Sequence, residues 1–437
     1  MVNKDNKRFD TLKIHAGYDP RQHNYASAVP IYQSVAFNFG DAARAGQLVR
    51  FREKGFTYTR VGNPTTAVLE ERMAELDGGA AAVAFASGMA AVTGTIFNLA
   101  EGGGRIIASA NIYGSSFDEF RTLFPKFGIH FDFISDINDL SRVEAAIRED
   151  TKAIFVESVT NPTTVVTDVA ALAALAHQHG IPLVVDNTFP TPYLFNPIHC
   201  GADIVVYSST KGISGHGDVV SGLVIDGGRF DFGNGRFQQF AEKNFVLGDE
   251  EEGIERSYLE AFDEAVFAAR LRIVYLRLFG AVLSPIDAYL VLRGLDTISE
   301  RLSKQVASAR KVATHLAAHP RVRRVYYSGL PDHPQHELVD EYFPRGVGAI
   351  FSFELDGTEA QTKKLLDSVH IFSYLPNVGD VRSLIVNPGR TTHREMPGAT
   401  RRQNGVSNDL IRLSIGLEDA DDLIADLDQA IDHAFAS

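Results

Sequence analysis

The pattern of hydrophobic and polar positions changes character along the chain. Residues 1–60 show little periodicity, whereas from about residue 80 to 225 short apolar runs alternate with amphipathic segments. The apolar runs have the length and composition of buried strands, and the segments between them have helical spacing. These runs lie at 82–85, 105–108, 153–156, 182–185, 204–207 and 222–225. Continuous apolar strands separated by helices predict a mostly parallel sheet that is covered on both faces.

Beyond this region the pattern predicts a smaller α+β unit. One long helix is expected over 258–278, and a second over 298–316. Strands are expected near 322–327, 348–355, 383–386 and 411–415, and a helix over 421–434. We therefore divide the chain into an extended N-terminal arm (1–60) that contacts a neighbouring subunit, a large domain (61–284) and a small C-terminal domain (285–437).

Composition narrows the class of protein. The apolar fraction of 45% and the charged fraction of 22% are those of an ordinary soluble globular protein. A formal net charge of -13 argues against nucleic acid or an anionic membrane as a partner. There is no apolar run of about 20 residues and no signal-peptide core, which predicts a cytoplasmic protein. The single cysteine, Cys200, excludes a disulfide framework, and no metal-ligand spacing is present, so no metal is expected.

The stretch 204–217 is the first place to look for chemistry. Its apolar strand ends in Ser208, Ser209, Thr210 and Lys211, and a glycine-rich turn follows. A strand that stops there leaves Lys211 at its carboxyl end, beside hydroxyl groups suited to phosphate oxygens. Partial burial lowers the pKa of a lysine and makes its amine nucleophilic. This suggests a Schiff base with an aldehyde cofactor that carries a phosphate; a surface lysine in a polar loop is the alternative.

The residues that follow the other strands are further candidates, because parallel sheets bind ligands at the carboxyl ends of their strands. Together they offer helix-start amides for a phosphate, a flat aromatic ring, a side-chain amide for a phenolic oxygen, and a carboxylate. A buried carboxylate would keep a pyridine nitrogen protonated. Each also has an ordinary structural explanation as a helix start, a core aromatic, an Asn-Pro turn or a helix cap. The candidates are Ser87, Gly88, Met89, Tyr113, Asn161 and Asp186.

Several motifs taken together resemble one family. They are Val185-Asp186-Asn187-Thr188, the Ser208–Lys211 stretch with its Gly-His-Gly, Tyr58-Thr59-Arg60 and Ser87-Gly88-Met89. They are similar to those of the Cys/Met-metabolism enzymes that depend on pyridoxal 5'-phosphate, and the similarity runs from about residue 8 to 435. Within that family, the chain looks most like the O-acetylhomoserine sulfhydrylases.

The resemblance implies a fold and an assembly. The fold would be the type I fold of pyridoxal-phosphate-dependent transferases, similar to aspartate aminotransferase. It has a mostly parallel seven-stranded sheet and a smaller C-terminal α+β domain. The assembly would be a homotetramer built from two tight dimers.

The resemblance also implies roles for the matched residues. Lys211 would carry the cofactor, Asp186 would pair with its ring nitrogen, and Tyr113 would stack on its ring. Arg412 would bind the substrate carboxylate, with help from Ser383 and Asn161. Lys211, Tyr113, Tyr58 and Asp186 would be the catalytic set. The remaining cofactor contacts would be Ser87, Gly88, Met89, Asn161, Thr188, Ser208 and Thr210, with Tyr58 and Arg60 from the neighbouring subunit.

The implied reaction is γ-replacement on O-acetyl-L-homoserine, in which acetate leaves Cγ and sulfide or a thiol adds. Two segments depart from the family, Gly114-Ser115-Ser116 and Asn387–Arg390, and both are expected near the substrate or the nucleophile. The absence of a cysteine at 114–116 argues against a methionine γ-lyase. A carbon or nitrogen nucleophile, and γ-elimination, stay open as alternatives. The nucleophile, the acyl group and the pathway are therefore left open by the sequence.

Overall fold

The structure is a computed structural model that describes residues 7–436. Its strands are β1 Ala81–Phe85, β2 Gly104–Ser109, β3 Ile129–Ile134, β4 Thr151–Glu157, β5 Leu183–Asp186, β6 Ile204–Tyr207, β7 Gly222–Asp226, β8 Asn244–Asp249, β9 Ile254–Arg256, β10 Val322–Tyr326, β11 Ile350–Leu355, β12 Ser373–Tyr374, β13 Leu384–Val386 and β14 Ile411–Ser414. Its α-helices are α1 Phe9–His15, α2 Ala42–Val49, α3 Pro64–Asp77, α4 Gly88–Ala100, α5 Gly114–Asp118, α6 Leu140–Ala146, α7 Val169–Gln178, α8 Thr191–Leu194, α9 Gln238–Ala241, α10 Tyr258–Ala261, α11 Val266–Arg270, α12 Arg277–Phe279, α13 Pro285–Leu295, α14 Ile298–Ala318, α15 His336–Tyr342, α16 Glu359–Leu366, α17 Gly398–Gln403 and α18 Ala420–Phe435.

The large sheet has seven strands within the described residues, in the order β1-β7-β6-β5-β4-β2-β3. All neighbours from β6 to β3 pair in parallel, and β7 runs antiparallel to both β1 and β6. The carboxyl ends of β1 to β6 therefore meet at one edge. All six strands predicted from apolar runs are confirmed.

Helices cover both faces of this sheet. Successive side chains of its central strands point to opposite sides, so each strand packs against both helical layers. Val184 and Val206 belong to one hydrophobic cluster, and Val185 and Val205 belong to the other. All four are fully or almost fully buried. This two-sided burial explains why these strands are continuously apolar in the sequence.

The second sheet has the order β10-β11-β14-β13-β12 within the described chain. Only β12 and β13 pair in parallel; the other neighbours are antiparallel. Phe351 and Leu413 of this sheet lie in the same cluster as Val185, so the two sheets share one core. The shared core fixes β14, which carries Arg412, relative to the edge of the large sheet. The boundaries at 60 and 284 remain a prediction.

Three expectations need correction or addition. The seventh strand, β3, was not identified from the pattern, because it is an edge strand whose apolar and polar residues alternate and whose side chains are mostly half-buried. The helix expected over 258–278 is interrupted between α10 and α11. A new helix starts at α11 because the Asp226 carboxylate accepts a hydrogen bond from the Ala268 amide (2.9 Å) in its first turn. The arm is also not wholly extended.

Within the described part of the arm, α1, a 3-10 turn at Pro20–His23 and α2 interrupt the irregular chain. Asp19 and Asp41 cap the second and third of these with their side chains. Residues 1–6 of the predicted arm, and residue 437 of the predicted small domain, lie outside the described residues. A search of 7–436 finds no helix with the length and apolar character that a membrane span requires.

Candidate active site

A cavity of about 290 Å³ lies where the carboxyl ends of β1, β4, β5 and β6 meet. The sequence had placed a ligand at this edge, and the structure gathers most of the candidates there. The predicted residues that line the cavity are Ser87, Gly88, Met89, Tyr113, Asn161, Asp186, Thr188, Ser208, Thr210, Lys211 and Arg412. Residues from both sheets therefore meet in one site.

One wall of the cavity is the first turn of α4. The Ser87 hydroxyl caps this helix by accepting a hydrogen bond from the Ala90 amide (3.1 Å). Gly88 packs directly against Ser208, since a Cβ added to this glycine would lie 2.6 Å from the Ser208 Cβ. This close approach brings the free amides of the helix start to the end of β6, which is a suitable arrangement for an anion such as phosphate.

Two hydroxyl groups lie beside this helix start. The Thr210 hydroxyl donates to the Ser221 carbonyl (3.1 Å) and accepts from the Ser221 amide (2.9 Å). The Ser208 amide donates to the Thr188 hydroxyl (2.8 Å), whereas the Ser208 hydroxyl has no hydrogen-bond partner within residues 7–436. The site therefore offers one uncommitted hydroxyl next to the helix amides.

Lys211 follows β6, and its side chain points into the cavity. Its Nζ donates to the Asn377 Oδ1 (2.6 Å). Burial, together with the nearby Arg412 guanidinium, lowers the pKa of this lysine to about 8. A substantial fraction of neutral amine is therefore present near neutral pH, as covalent chemistry at a carbonyl requires.

Two carboxylates stand side by side on neighbouring strands. Glu157 ends β4 and Asp186 ends β5, and they are register partners in the parallel pair. Burial raises the pKa of Asp186 to about 6, against the effect of the Thr188 hydrogen bonds. Burial and the Asp186 charge raise the pKa of Glu157 well above its usual value. A cationic group placed in the cavity would stabilise both carboxylates in their ionised form.

Arg412 is a buried guanidinium without an acidic partner among the described residues. Its Nη1 donates to the Asn161 Oδ1 (3.0 Å), and its Nη2 donates to the Asn377 carbonyl (3.3 Å). Burial lowers its pKa to about 10. A buried cation held only by neutral groups is suited to bind a carboxylate.

Three predicted residues do not line the cavity. The Ser383 hydroxyl is buried; it donates to Glu418 (2.7 Å) and accepts from the Gly416 amide (2.9 Å). The Arg60 guanidinium lies 5.4 Å from the centre of the Tyr58 ring and donates to a main-chain carbonyl on α12. In a single chain, Tyr58 and Arg60 therefore lie apart from Lys211.

The two segments that depart from the family pattern differ in their position relative to the cavity. Ser116 lines the cavity, and its hydroxyl lies 3.7 Å from the Met89 sulfur. Arg390 does not line it: this residue ends a 3-10 turn and pairs with Glu359 at the start of α16. Ser116 thus lies at the cavity, whereas the turn directs the Arg390 side chain away from it; contact of either segment with the substrate stays a prediction.

Sequence reasoning missed the roles of Glu157 and Asn377. Glu157 accepts the amides of Tyr113 (2.7 Å) and Asn161 (3.1 Å). The available signal was its position as a charged residue that ends an apolar run, as Asp186 does. Asn377 had no comparable local signal, because it reaches Lys211 from a distant segment.

Comparisons with known proteins agree with this site. A model of the family described as Cys/Met metabolism PLP-dependent enzyme matches residues 10–432. A sulfhydrylase of Gibberella moniliformis is 40% identical over 434 residues, 99% of each chain. The O-acetyl-L-homoserine sulfhydrylase of Leptospira meyeri is 38% identical over 97% of this chain and 96% of its own. The homocysteine synthase of Schizosaccharomyces pombe is 38% identical over 98% of this chain and 99% of its own.

A solved structure extends the comparison. A Campylobacter jejuni protein assigned as an O-acetylhomoserine (thiol)-lyase, which carries N'-pyridoxyl-lysine-5'-monophosphate, matches with a TM-score of 0.92 and 35% identity. The match covers 98% of this chain and 100% of that one. The architecture is therefore the type I fold of pyridoxal-phosphate-dependent transferases, as predicted. The chain belongs to the Cys/Met metabolism PLP-dependent enzymes, and its cofactor is pyridoxal 5'-phosphate.

Proposed function

We propose that this enzyme replaces the γ-substituent of O-acetyl-L-homoserine, with acetate leaving Cγ and sulfide or a small thiol adding there. The observation that carries the proposal is the buried, carboxylate-free Arg412 in the same cavity as the poised amine of Lys211. The names of the relatives from Leptospira meyeri and Schizosaccharomyces pombe support the substrate and the product, homocysteine.

The groups that line the cavity match the charges of the cofactor, and we assign its contacts accordingly. The phosphate would be held by the amides of Gly88 and Met89 and by the hydroxyls of Ser208 and Thr210, with Ser87 and Thr188 supporting these walls. Asp186 would pair with the ring nitrogen, and Tyr113 would stack on the ring. When bound, the cofactor supplies an electron sink joined to the substrate's amino group.

The protein's own groups then bind the substrate and move its protons. Arg412 and Asn161 would hold the α-carboxylate, which fixes the Cα–H bond relative to Lys211. The Lys211 amine, once released, would take the proton from Cα and then one from Cβ, and return protons after the nucleophile has added. Tyr113 is a further candidate for proton transfer, and the cavity walls limit access of water.

We also propose an assembly that completes the site. In a homotetramer of two tight dimers, the N-terminal arm would place Tyr58 and Arg60 at the phosphate of a neighbouring subunit. Tyr58 is 43% exposed in the single chain and lies outside its own cavity, which supports a role in a neighbour's site. The division at residues 60 and 284, and a cytoplasmic location, belong to the same proposal.

The experiment is a product assay of the purified holoenzyme. O-acetyl-L-homoserine is supplied with and without sulfide, and with methanethiol, and the products are identified by mass spectrometry. Formation of homocysteine that depends on sulfide is expected, and Lys211→Ala should abolish it. Lys152→Ala is the matched control, because Lys152 lies outside the cavity and donates to the Arg236 carbonyl.

Other outcomes would replace the proposal with an alternative. Ammonia and an oxoacid released without sulfide would indicate γ-elimination. Rapid turnover with a carbon or nitrogen nucleophile, and slow turnover with sulfide, would indicate a different γ-substitution.

A further inference from the structure

Glu157 lies in the cavity, and the proposed reaction assigns it no role. It ends β4 directly beside Asp186, lines the cavity and is only 7% exposed. Each of its carboxylate oxygens accepts one main-chain hydrogen bond: Oε1 from the Tyr113 amide (2.7 Å) and Oε2 from the Asn161 amide (3.1 Å). One side chain thus ties together two loops that follow different strands.

The two loops carry different parts of the site. Tyr113 presents its ring to the cavity and precedes α5. Asn161 holds the Arg412 guanidinium through its Oδ1 (3.0 Å), and its carbonyl accepts a hydrogen bond from the His393 Nε2 (3.2 Å). Burial lowers the pKa of His393 to about 3, so this histidine is neutral and donates from one nitrogen only. The main chain of Asn161 is therefore fixed by Glu157 on its amide side and by His393 on its carbonyl side.

We propose that Glu157 is a positioning residue. It fixes the position of the Tyr113 ring, which would stack on the cofactor, relative to the Asn161–Arg412 pair, which would bind the substrate carboxylate. Its two hydrogen bonds leave neither loop free to shift without leaving a buried main-chain amide unpaired. The Arg412 part of this inference rests on the proposed substrate. The Tyr113 part rests only on the cofactor.

The competing explanation is that Glu157 merely stabilises the fold, and the chain contains a matched control for that role. Asp226 ends β7 of the same sheet, is 3% exposed, and accepts the main-chain amides of Gly228 and Ala268, both at 2.9 Å. It does not line the cavity. Asp226→Asn and Glu157→Gln therefore replace the same kind of buried carboxyl group and disturb the same kind of hydrogen bond, one away from the site and one within it.

The decisive measurement is cofactor binding by the purified cofactor-free proteins. Glu157→Gln turns one acceptor oxygen into a donor, so one of the two amides loses its partner. The dissociation constant for pyridoxal 5'-phosphate, from absorbance titration, should rise about tenfold, as for the loss of one hydrogen bond to a charged group. Binding of inorganic phosphate, which would use the start of α4 and the hydroxyls of Ser208 and Thr210 but neither of the two loops, should stay within about twofold. Asp226→Asn should lower the unfolding midpoint but leave both affinities within about twofold.

A second variant separates position from charge. Glu157→Asp keeps the negative charge but is too short to reach both amides, so it should weaken cofactor binding as Glu157→Gln does. The proposal is overturned if Glu157→Gln binds the cofactor as the unmodified enzyme does. It is also overturned if Asp226→Asn loses as much cofactor affinity, or if Glu157→Asp loses none.

The substrate part has its own readout. In Glu157→Gln saturated with cofactor, the KM for O-acetyl-L-homoserine should rise about tenfold, whereas Asp226→Asn should keep the KM of the unmodified enzyme. An unchanged KM in Glu157→Gln would overturn this part. If the unmodified enzyme does not act on O-acetyl-L-homoserine at all, the proposed function fails. The cofactor titration still decides whether Glu157 positions Tyr113.

Discussion

Gly88→Ala tests whether the contact between α4 and the end of β6 forms the phosphate site. The new Cβ would lie 2.6 Å from the Ser208 Cβ, 2.9 Å from its Cα and 3.0 Å from its Oγ. Carbon atoms in van der Waals contact are about 3.5–4.0 Å apart, so one wall must move by roughly 1 Å. Ser208 resists this movement, because its amide donates to the Thr188 hydroxyl (2.8 Å).

The movement has two expected costs. Overpacking of this kind destabilises a protein by about 1–3 kcal/mol. A phosphate hydrogen bond lengthened by roughly 1 Å is lost, and a hydrogen bond to a charged group contributes about 1.5–3 kcal/mol. The dissociation constant for pyridoxal 5'-phosphate should therefore rise at least tenfold in Gly88→Ala.

The assay is absorbance titration of the cofactor-free protein, with urea unfolding measured in parallel. Gly398→Ala is the matched control. Gly398 begins α17, and the nearest atom to its added Cβ is Nη1 of the exposed Arg402 side chain, at 3.4 Å, so neither affinity nor stability should fall. If Gly88→Ala binds the cofactor within twofold of the unmodified protein, the phosphate does not occupy this helix start.

Two further predictions concern the cations of the cavity. Because the pKa of Lys211 is lowered from 10.5 to about 8, acylation of its amine in the cofactor-free protein should reach half of its maximal rate near pH 8, as measured by peptide mass spectrometry; a half-maximal rate near pH 10.5 would contradict this. The unfolded chain binds more protons at this lysine between about pH 8 and 10.5, so its contribution to the free energy of unfolding should rise with pH over that window. Arg412→Lys keeps a positive charge but loses the planar fork, so the KM for O-acetyl-L-homoserine should rise at least tenfold with little change in cofactor affinity; an unchanged KM would place the substrate carboxylate elsewhere.

Hydrophobic periodicity was enough to predict the strands of the large sheet other than β3, and to place most of the candidate residues at one edge of that sheet. Parallel strands that are buried on both faces are continuously apolar, and the polar residues in the loop that follows such a strand mark the ligand edge. This rule alone selected Lys211, Asp186 and Asn161. It failed for β3, whose exposed face makes it alternate, and at the break before α11, which depends on Asp226 from a distant strand. Arg412 needed the family resemblance, because its role depends on how the second sheet packs against the first.

The charged side chains of the cavity are not paired with one another, which explains why they favour the binding of a charged ligand. Lys211 and Arg412 are held by neutral oxygens, and burial shifts the pKa of each toward its uncharged form. Burial also favours the uncharged forms of Asp186 and Glu157, because it raises the pKa of each carboxyl group. The two cations and the two anions therefore do not neutralise one another by ion pairing, although they line one cavity. A molecule that brings a phosphate, a carboxylate and a protonated ring nitrogen supplies partners of the opposite sign, and binding it stabilises the folded chain by mass action.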